Sequence, residues 1–164
     1  MTILVCPLEA VERLVRERGP SHVISLLSPG AAPPVLPPGP VRLHLAFNDI
    51  AAPQEGLIHP DADHVQALLA FARTWDRAAP LLVHCWAGVS RSTAGGYILA
   101  CLRDGAGAEA ALAQRLRGAA PYATPNPLLV ALGDEALDRR GAMVRAIAAI
   151  GRGADTAFGA PFAF

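Results

Sequence analysis

Nine consecutive residues, His84-Cys85-Trp86-Ala87-Gly88-Val89-Ser90-Arg91-Ser92, put a thiol and a guanidinium six positions apart on either side of a glycine. The thiolate is the nucleophilic form of cysteine, and a helix N-terminus or a neighbouring Arg favours it, so Cys85 is expected to be charged. Arg91 offers a planar fork that matches two phosphoryl oxygens, which the point charge of a Lys does not. Backbone N–H groups from Trp86 through Ala87, Gly88, Val89 and Ser90 to Arg91 can curl round a single anion, and Gly88 can adopt the angles this demands. The Ser92 hydroxyl can hydrogen-bond the sulfur and help it leave, and His84 can fix the loop through hydrogen bonds to its backbone. These residue types suit transfer of a phosphoryl group to Cys85 and then to water.

Hydrolysis of phosphate esters requires accelerations of up to about 10²¹-fold, so nucleophile and clamp also need a general acid for the leaving oxygen. In a parallel sheet the carboxyl ends of the strands share one rim, and ligands bind there. Asp49 follows an alternating apolar segment, Val41 to Phe47, and so reaches the rim that carries Cys85. It is the expected acid, and afterwards the base for the attacking water. Asp61 and Asp63 are alternatives that read more as helix caps. Asn48-Asp49 as an ordinary strand-ending turn is the plain reading of the same pair.

The elements that must position these groups show in the surrounding pattern. Pro80-Leu81-Leu82-Val83-His84 is an unbroken apolar run, as in a central strand covered on both faces. Ser92 to Arg103 is a nearly uncharged helix, expected to be buried, in which Gly95-Gly96 permits close approach. Strand, tight loop and helix in that order aim a helix N-terminus at an anion. Thr2 to Cys6 and His22 to Leu27 read as further strands, with a helix between them that Pro7 opens and Gly19-Pro20 ends. Ser28 to Pro40 packs six prolines and two glycines into thirteen residues and reads as an irregular loop, a candidate wall of the site. A helix capped by Asp61 or Asp63 carries Val65, Leu68, Leu69, Ala72 and Trp75 on one face. Three more helices are expected over Ala108 to Gly118, Leu128 to Arg140 and Met143 to Ile150. This order implies an α/β domain with a mainly parallel central sheet of about four strands flanked by helices.

The His-Cys-x5-Arg-Ser pattern of residues 84 to 92 resembles the signature loop of the protein tyrosine phosphatase superfamily, specifically its compact dual-specificity branch. The resemblance implies a phosphotyrosine phosphatase-like fold and hydrolysis of phosphomonoesters through a phosphocysteine. It implies that Cys85 attacks phosphorus, Arg91 binds phosphate, Ser92 assists release of the thiolate, and Asp49 on an upstream loop is the acid. Thr124-Pro125-Asn126 resembles the Pro-Asn segment that supports the phosphate loop in that branch, which gives Asn126 a bracing role. A simple turn residue before Pro127 is the competing reading of Asn126. The resemblance covers roughly residues 41 to 132. Two departures stand out: there is no Trp-Pro-Asp loop, and the Gln that often follows the Pro-Asn segment is replaced by apolar residues around Ala131 and Leu132.

Composition bounds the remainder. The chain has 164 residues, 52% of them hydrophobic, enough for one well-buried core. A single domain over residues 1–152 is expected, followed by a tail, 153–164, that holds Phe158, Phe162 and Phe164. The 14 Arg balance the 14 acidic residues and there is no Lys, so neither a nucleic-acid nor a membrane-surface partner is expected. The first apolar run stops at Pro7 and Glu9, too early for a secretory signal, and a cytoplasmic location is expected. Cys6, Cys85 and Cys101 have no metal-ligand spacing, nor do His22, His44, His59 and His64, so no metal or other cofactor is expected. Cys6 and Cys101 read as small buried hydrophobes, with a protective disulfide to Cys85 as the alternative. The uncharged loop residues Trp86, Ala87, Val89 and Ser90 disfavour a highly phosphorylated inositol lipid. The expected substrate is therefore phosphotyrosine in a protein, or a small phosphomonoester, with phosphoserine and phosphothreonine depending on pocket depth. The competing classes are a catalytically inactive phosphate-binding module and a rhodanese-like sulfurtransferase, which needs a loop Cys but no upstream Asp.

Overall fold

A computed structural model describes residues 1–164. Four apolar segments pair in parallel: β1 (Ile3–Pro7), β2 (His22–Leu27), β3 (Val41–Ala46) and β4 (Leu81–Cys85). A fifth strand, β5 (Phe162–Ala163), runs antiparallel to β1, and the sheet order is β3-β2-β4-β1-β5. β4 lies in the middle with every residue buried, which explains its lack of alternation. β3 lies at the edge, and its exposed Val41, Arg42 and His44 account for its mixed pattern.

One face of the sheet is closed by α1 (Val11–Arg18), which ends at Gly19 in a left-handed conformation, φ 54°. Pro7 does not open this helix, because it is still paired with Cys85 in the sheet, and a 3₁₀ turn over Leu8–Ala10 intervenes. Leu36 from the Pro-rich loop joins α1 over Leu4, Cys6, Val23 and Leu82 in a small core. The other face carries the main core, beneath α2 (Ala62–Arg73), α3 (Arg91–Asp104), α4 (Glu109–Ala119), α5 (Pro127–Ala136) and α6 (Ala142–Ile150). Asp61 caps α2, its carboxylate accepting from the N–H of His64 at 3.0 Å.

α3 is buried from Arg91 to Cys101 and packs on β1 and β4. A Cβ on Gly96 would lie 2.6 Å from Val5 Cγ2, so the close approach needs glycine there. α5 ends at Ala136 rather than Arg140. Asp138 and Arg140 turn to φ of 51° and 52°, and the buried Asp134 carboxylate leaves its helix to accept from Gly141 and Met143 N–H at 2.6 and 2.8 Å, capping α6. The sheet has five strands where about four were expected, because residues 153–164 return along the domain, pair with β1 and end with Phe164 in the main core. No helix is long and apolar enough to cross a membrane.

Candidate active site

β2, β3 and β4 all end at one rim, and the residues after each end meet at a cleft of about 420 Å³. Cys85, the last residue of β4, is almost fully buried at its base, with the Ser92 hydroxyl 3.1 Å from Sγ and the Gly88 N–H donating to Sγ at 3.3 Å. Gly88 is required twice over. Its φ is +73°, and a Cβ there would lie 2.6 Å from the Pro7 nitrogen. The backbone N–H groups of Trp86, Ala87, Val89 and Ser90 have no acceptor within the protein. These residues line the cleft with Cys85 and lead into the N-terminus of α3, an arrangement that can hold an anion.

Arg91 is anchored rather than loose. One terminal nitrogen donates to the Phe47 carbonyl at 2.9 Å and to Ser28 Oγ at 3.2 Å, so the ends of β3 and β2 both hold the guanidinium. Its Nε is buried without a hydrogen-bond partner and lies 4.0 Å from Asp49 Oδ2. An unpaired buried guanidinium N–H is costly unless a ligand completes it.

Asp49 borders the same cleft and is fixed through one oxygen: Oδ1 accepts from Ser90 Oγ at 2.7 Å and from Asn126 Nδ2 at 2.8 Å. Asn126 divides its amide between two tasks. Its oxygen caps α5 by accepting from the Leu129 N–H at 3.0 Å, and its nitrogen holds Asp49. Support for the loop from this segment comes instead through backbone groups, Thr124 N–H to the Val89 carbonyl at 3.0 Å and Asn126 N–H to the Ser90 carbonyl at 3.4 Å.

His84 is fully buried, and its ring binds Ser25 Oγ at 2.7 Å, tying β4 to β2. Burial pushes its pKa down to about 4, against a smaller upward pull from the Cys85 backbone, so the ring is neutral near pH 7. Cys6 lies on β1, beside β4; burial first and the nearby Cys85 second push its thiol up to about 12. Burial likewise pushes Cys101 up to about 12, and all three cysteines are free. Asp61 and Asp63, weighed as alternative acids, belong to the start of α2 and do not line the cleft. No group of three His, Cys, Asp or Glu side chains is placed to hold a metal ion.

The sequence pointed to Cys85, Arg91, Ser92, Asp49 and the loop 86–90, and the structure brings them together. It adds Ser28, the first residue of the Pro-rich loop, and Thr156 and Ala157, which line the cleft from the far end of the chain.

The fold is that of the compact dual-specificity protein tyrosine phosphatases. The solved structure of DUSP15 is similar, with a TM-score of 0.63 and 19% identity, covering 90% of this chain and 89% of that one. Human DUSP28 gives a TM-score of 0.60 at 19% identity, covering 83% and 88%. PTPMT1 in complex with PI(5)P gives 0.60 at 18% identity, covering 88% and 94%. No protein-family model matches the sequence, and no curated protein matches it.

Proposed function

We propose that this chain is a cysteine-dependent phosphatase that hydrolyses phosphomonoesters, with phosphotyrosine in proteins as the substrate class its cleft suits best. The carrying observation is the set of donors without a protein partner, four loop N–H groups and Arg91 Nε, on residues that line the same cleft as Cys85. A compact oxyanion can accept from several donors so placed at once.

In the first step the Cys85 thiolate attacks phosphorus and the bond to the ester oxygen breaks. Asp49 gives that oxygen its proton from Oδ2, since Oδ1 is already engaged by Ser90 and Asn126. Arg91 and the loop amides hold the three other phosphoryl oxygens throughout. In the second step Asp49 takes a proton from water as its oxygen attacks phosphorus. The S–P bond breaks, inorganic phosphate leaves, and the Ser92 hydroxyl at 3.1 Å stabilises the returning thiolate.

The substrate reading rests on charge. Arg91 is the only cation lining the cleft, whereas Trp86, Ala87, Val89 and Ala157 supply uncharged surface. One phosphate carried on an apolar ring fits that surface, and a multiply phosphorylated headgroup would find no second cation in this cleft, the neighbouring Arg152 being paired with Asp155 in the adjoining depression. The likeness to PTPMT1, whose complex holds PI(5)P, makes a phosphoinositide the comparison substrate to assay. An Asp49 fixed beside Arg91 weighs against a sulfurtransferase, which needs no upstream Asp.

The test compares wild type with Cys85→Ser on a phosphotyrosine peptide and with orthovanadate. The expected result is loss of turnover with retained vanadate binding. A Cys85→Ser rate near that of wild type would remove the mechanism. Vanadate binding by a wild-type chain that hydrolyses no ester would establish the inactive binding module, and turnover of thiosulfate alone the sulfurtransferase.

A further inference from the structure

Residues 151–164 form a strap against the phosphate loop, pinned at two points along its length. Near its start Arg117 donates to the Gly151 carbonyl at 2.7 Å, Gly153 N–H to Thr124 Oγ1 at 3.2 Å, and Ala154 N–H to the Pro121 carbonyl at 3.0 Å. Further on, Gly159 N–H donates to the Ala87 carbonyl of the phosphate loop at 2.8 Å, and the Tyr122 hydroxyl donates to the Ala160 carbonyl. Beyond that point β5 pairs with β1 and Phe164 fills the main core. A Cβ on Gly159 would lie 2.7 Å from the Gly88 carbonyl oxygen, so strap and loop touch backbone to backbone. The short bridge between these anchors is tightened by Thr156 Oγ1, which donates to the Phe158 carbonyl at 2.7 Å.

We infer that Thr156 and Ala157, held on this strap, form the wall that selects the group esterified to phosphate. The inference rests on the phosphatase reading above and says which residues give it specificity. Phosphate itself is the business of the loop amides and Arg91. The group that carries the phosphate meets the strap as one wall of the cleft, because Thr156 and Ala157 line it together with Cys85, Trp86 and Arg91. Thr156 also borders a neighbouring depression of about 320 Å³ that reaches Asn126, so it stands, with Asp49, Val89 and Ser90, between the Cys85 cleft and that space. Hydrogen bonding between strap and loop fixes the height of the wall above Cys85, and that height decides how long a side chain must be to bring its phosphate to the sulfur. A phosphorylated tyrosine ring spans such a wall and meets apolar surface on the way; a short alkyl phosphate does neither.

Ala157 is exposed and belongs to neither hydrophobic core, so Ala157→Trp can be made without touching the core. The expected effect is a fall in kcat/KM for a phosphotyrosine peptide of at least about tenfold, chiefly through KM, the size of penalty that pocket misfit imposes. Orthovanadate, which reaches only the loop, should inhibit the variant as it inhibits wild type. Phe158→Ala changes a strap side chain that does not line the cleft and should alter neither value. An unchanged peptide kcat/KM in Ala157→Trp, a parallel loss of vanadate inhibition, or an equal loss in Phe158→Ala would each overturn the wall while wild-type turnover leaves the phosphatase reading standing. A wild-type chain that turns over no phosphate ester would bring down both.

Discussion

Replacing Asp49 with Asn removes the ionisable carboxyl group and changes little else. The amide keeps an oxygen for the Ser90 hydroxyl and the Asn126 amide, which lie 2.7 and 2.8 Å from Oδ1, and it keeps the side-chain volume. Ala would instead strand both donors, at about 1–3 kcal/mol for each that stays buried. The ion pair lost with Arg91 is long, 4.0 Å, and Asp49 is about one-third exposed, so it contributes no more than about 1 kcal/mol. Stability should therefore survive while catalysis does not. A positioned general acid contributes about 10²–10⁴-fold, which is about 3–5 kcal/mol of barrier at 1.36 kcal/mol per tenfold. That whole amount is expected when the leaving oxygen is basic, as in phenyl phosphate. It should shrink to less than about tenfold for a dinitrophenyl leaving group, whose oxygen departs without help. The assay is steady-state kcat/KM over a series of aryl phosphates of graded leaving-group acidity. Wild type should show a shallow dependence and Asp49→Asn a steep one. Parallel lines, with the same loss for every leaving group, would show that Asp49 holds Arg91 or substrate and transfers no proton.

Asn126→Ala removes both the cap on Leu129 and the donor to Asp49. Urea unfolding should show a loss of about 0.5–2 kcal/mol for the cap, and kcat should fall more for phenyl than for dinitrophenyl phosphate; a stability loss with unchanged kinetics would leave Asn126 no part in positioning the acid. His84 predicts a pH dependence of stability. Its folded pKa, about 4, lies below the ordinary 6.5, so between those values the unfolded chain takes up a proton that the folded chain refuses. Stability from this residue is complete above pH 6.5 and falls as pH drops toward 4, by up to about 3 kcal/mol at 1.36 kcal/mol per pKa unit. Urea midpoints compared at about pH 7.5 and about pH 4.5 should show this loss in wild type and much less of it in His84→Gln, and equal losses would place the sensitive group elsewhere.

What the sequence discloses about this site follows the kind of constraint each residue is under. Cys85, Gly88, Arg91 and Ser92 are legible because nucleophile, cradle and clamp lie within eight residues, between a strand and a helix whose burial shows in their composition. Asp49 needs one further step, that parallel strands share a rim, and β3 and β4 do. His84 is legible as a residue but not in its role, since its bond to Ser25 depends on the register that sets those two opposite each other across β2 and β4. Asn126 turns its amide to Asp49 rather than to the loop, a choice made by where two distant loops meet. The strap leaves almost no trace at all. Its contacts with the loop pass through backbone amides and carbonyls, which every residue type can supply, and a two-residue strand has no period to read. Only the crowded Gly153 and Gly159 and the terminal aromatics hint that this stretch is packed. Chemistry restricts the residue types that touch the reacting atoms, so those positions identify themselves. The shape of the cleft around them is built from less restricted parts, which is why the reaction can be read from the nine residues of the loop and the choice of substrate has to be sought seventy residues away, at Thr156 and Ala157.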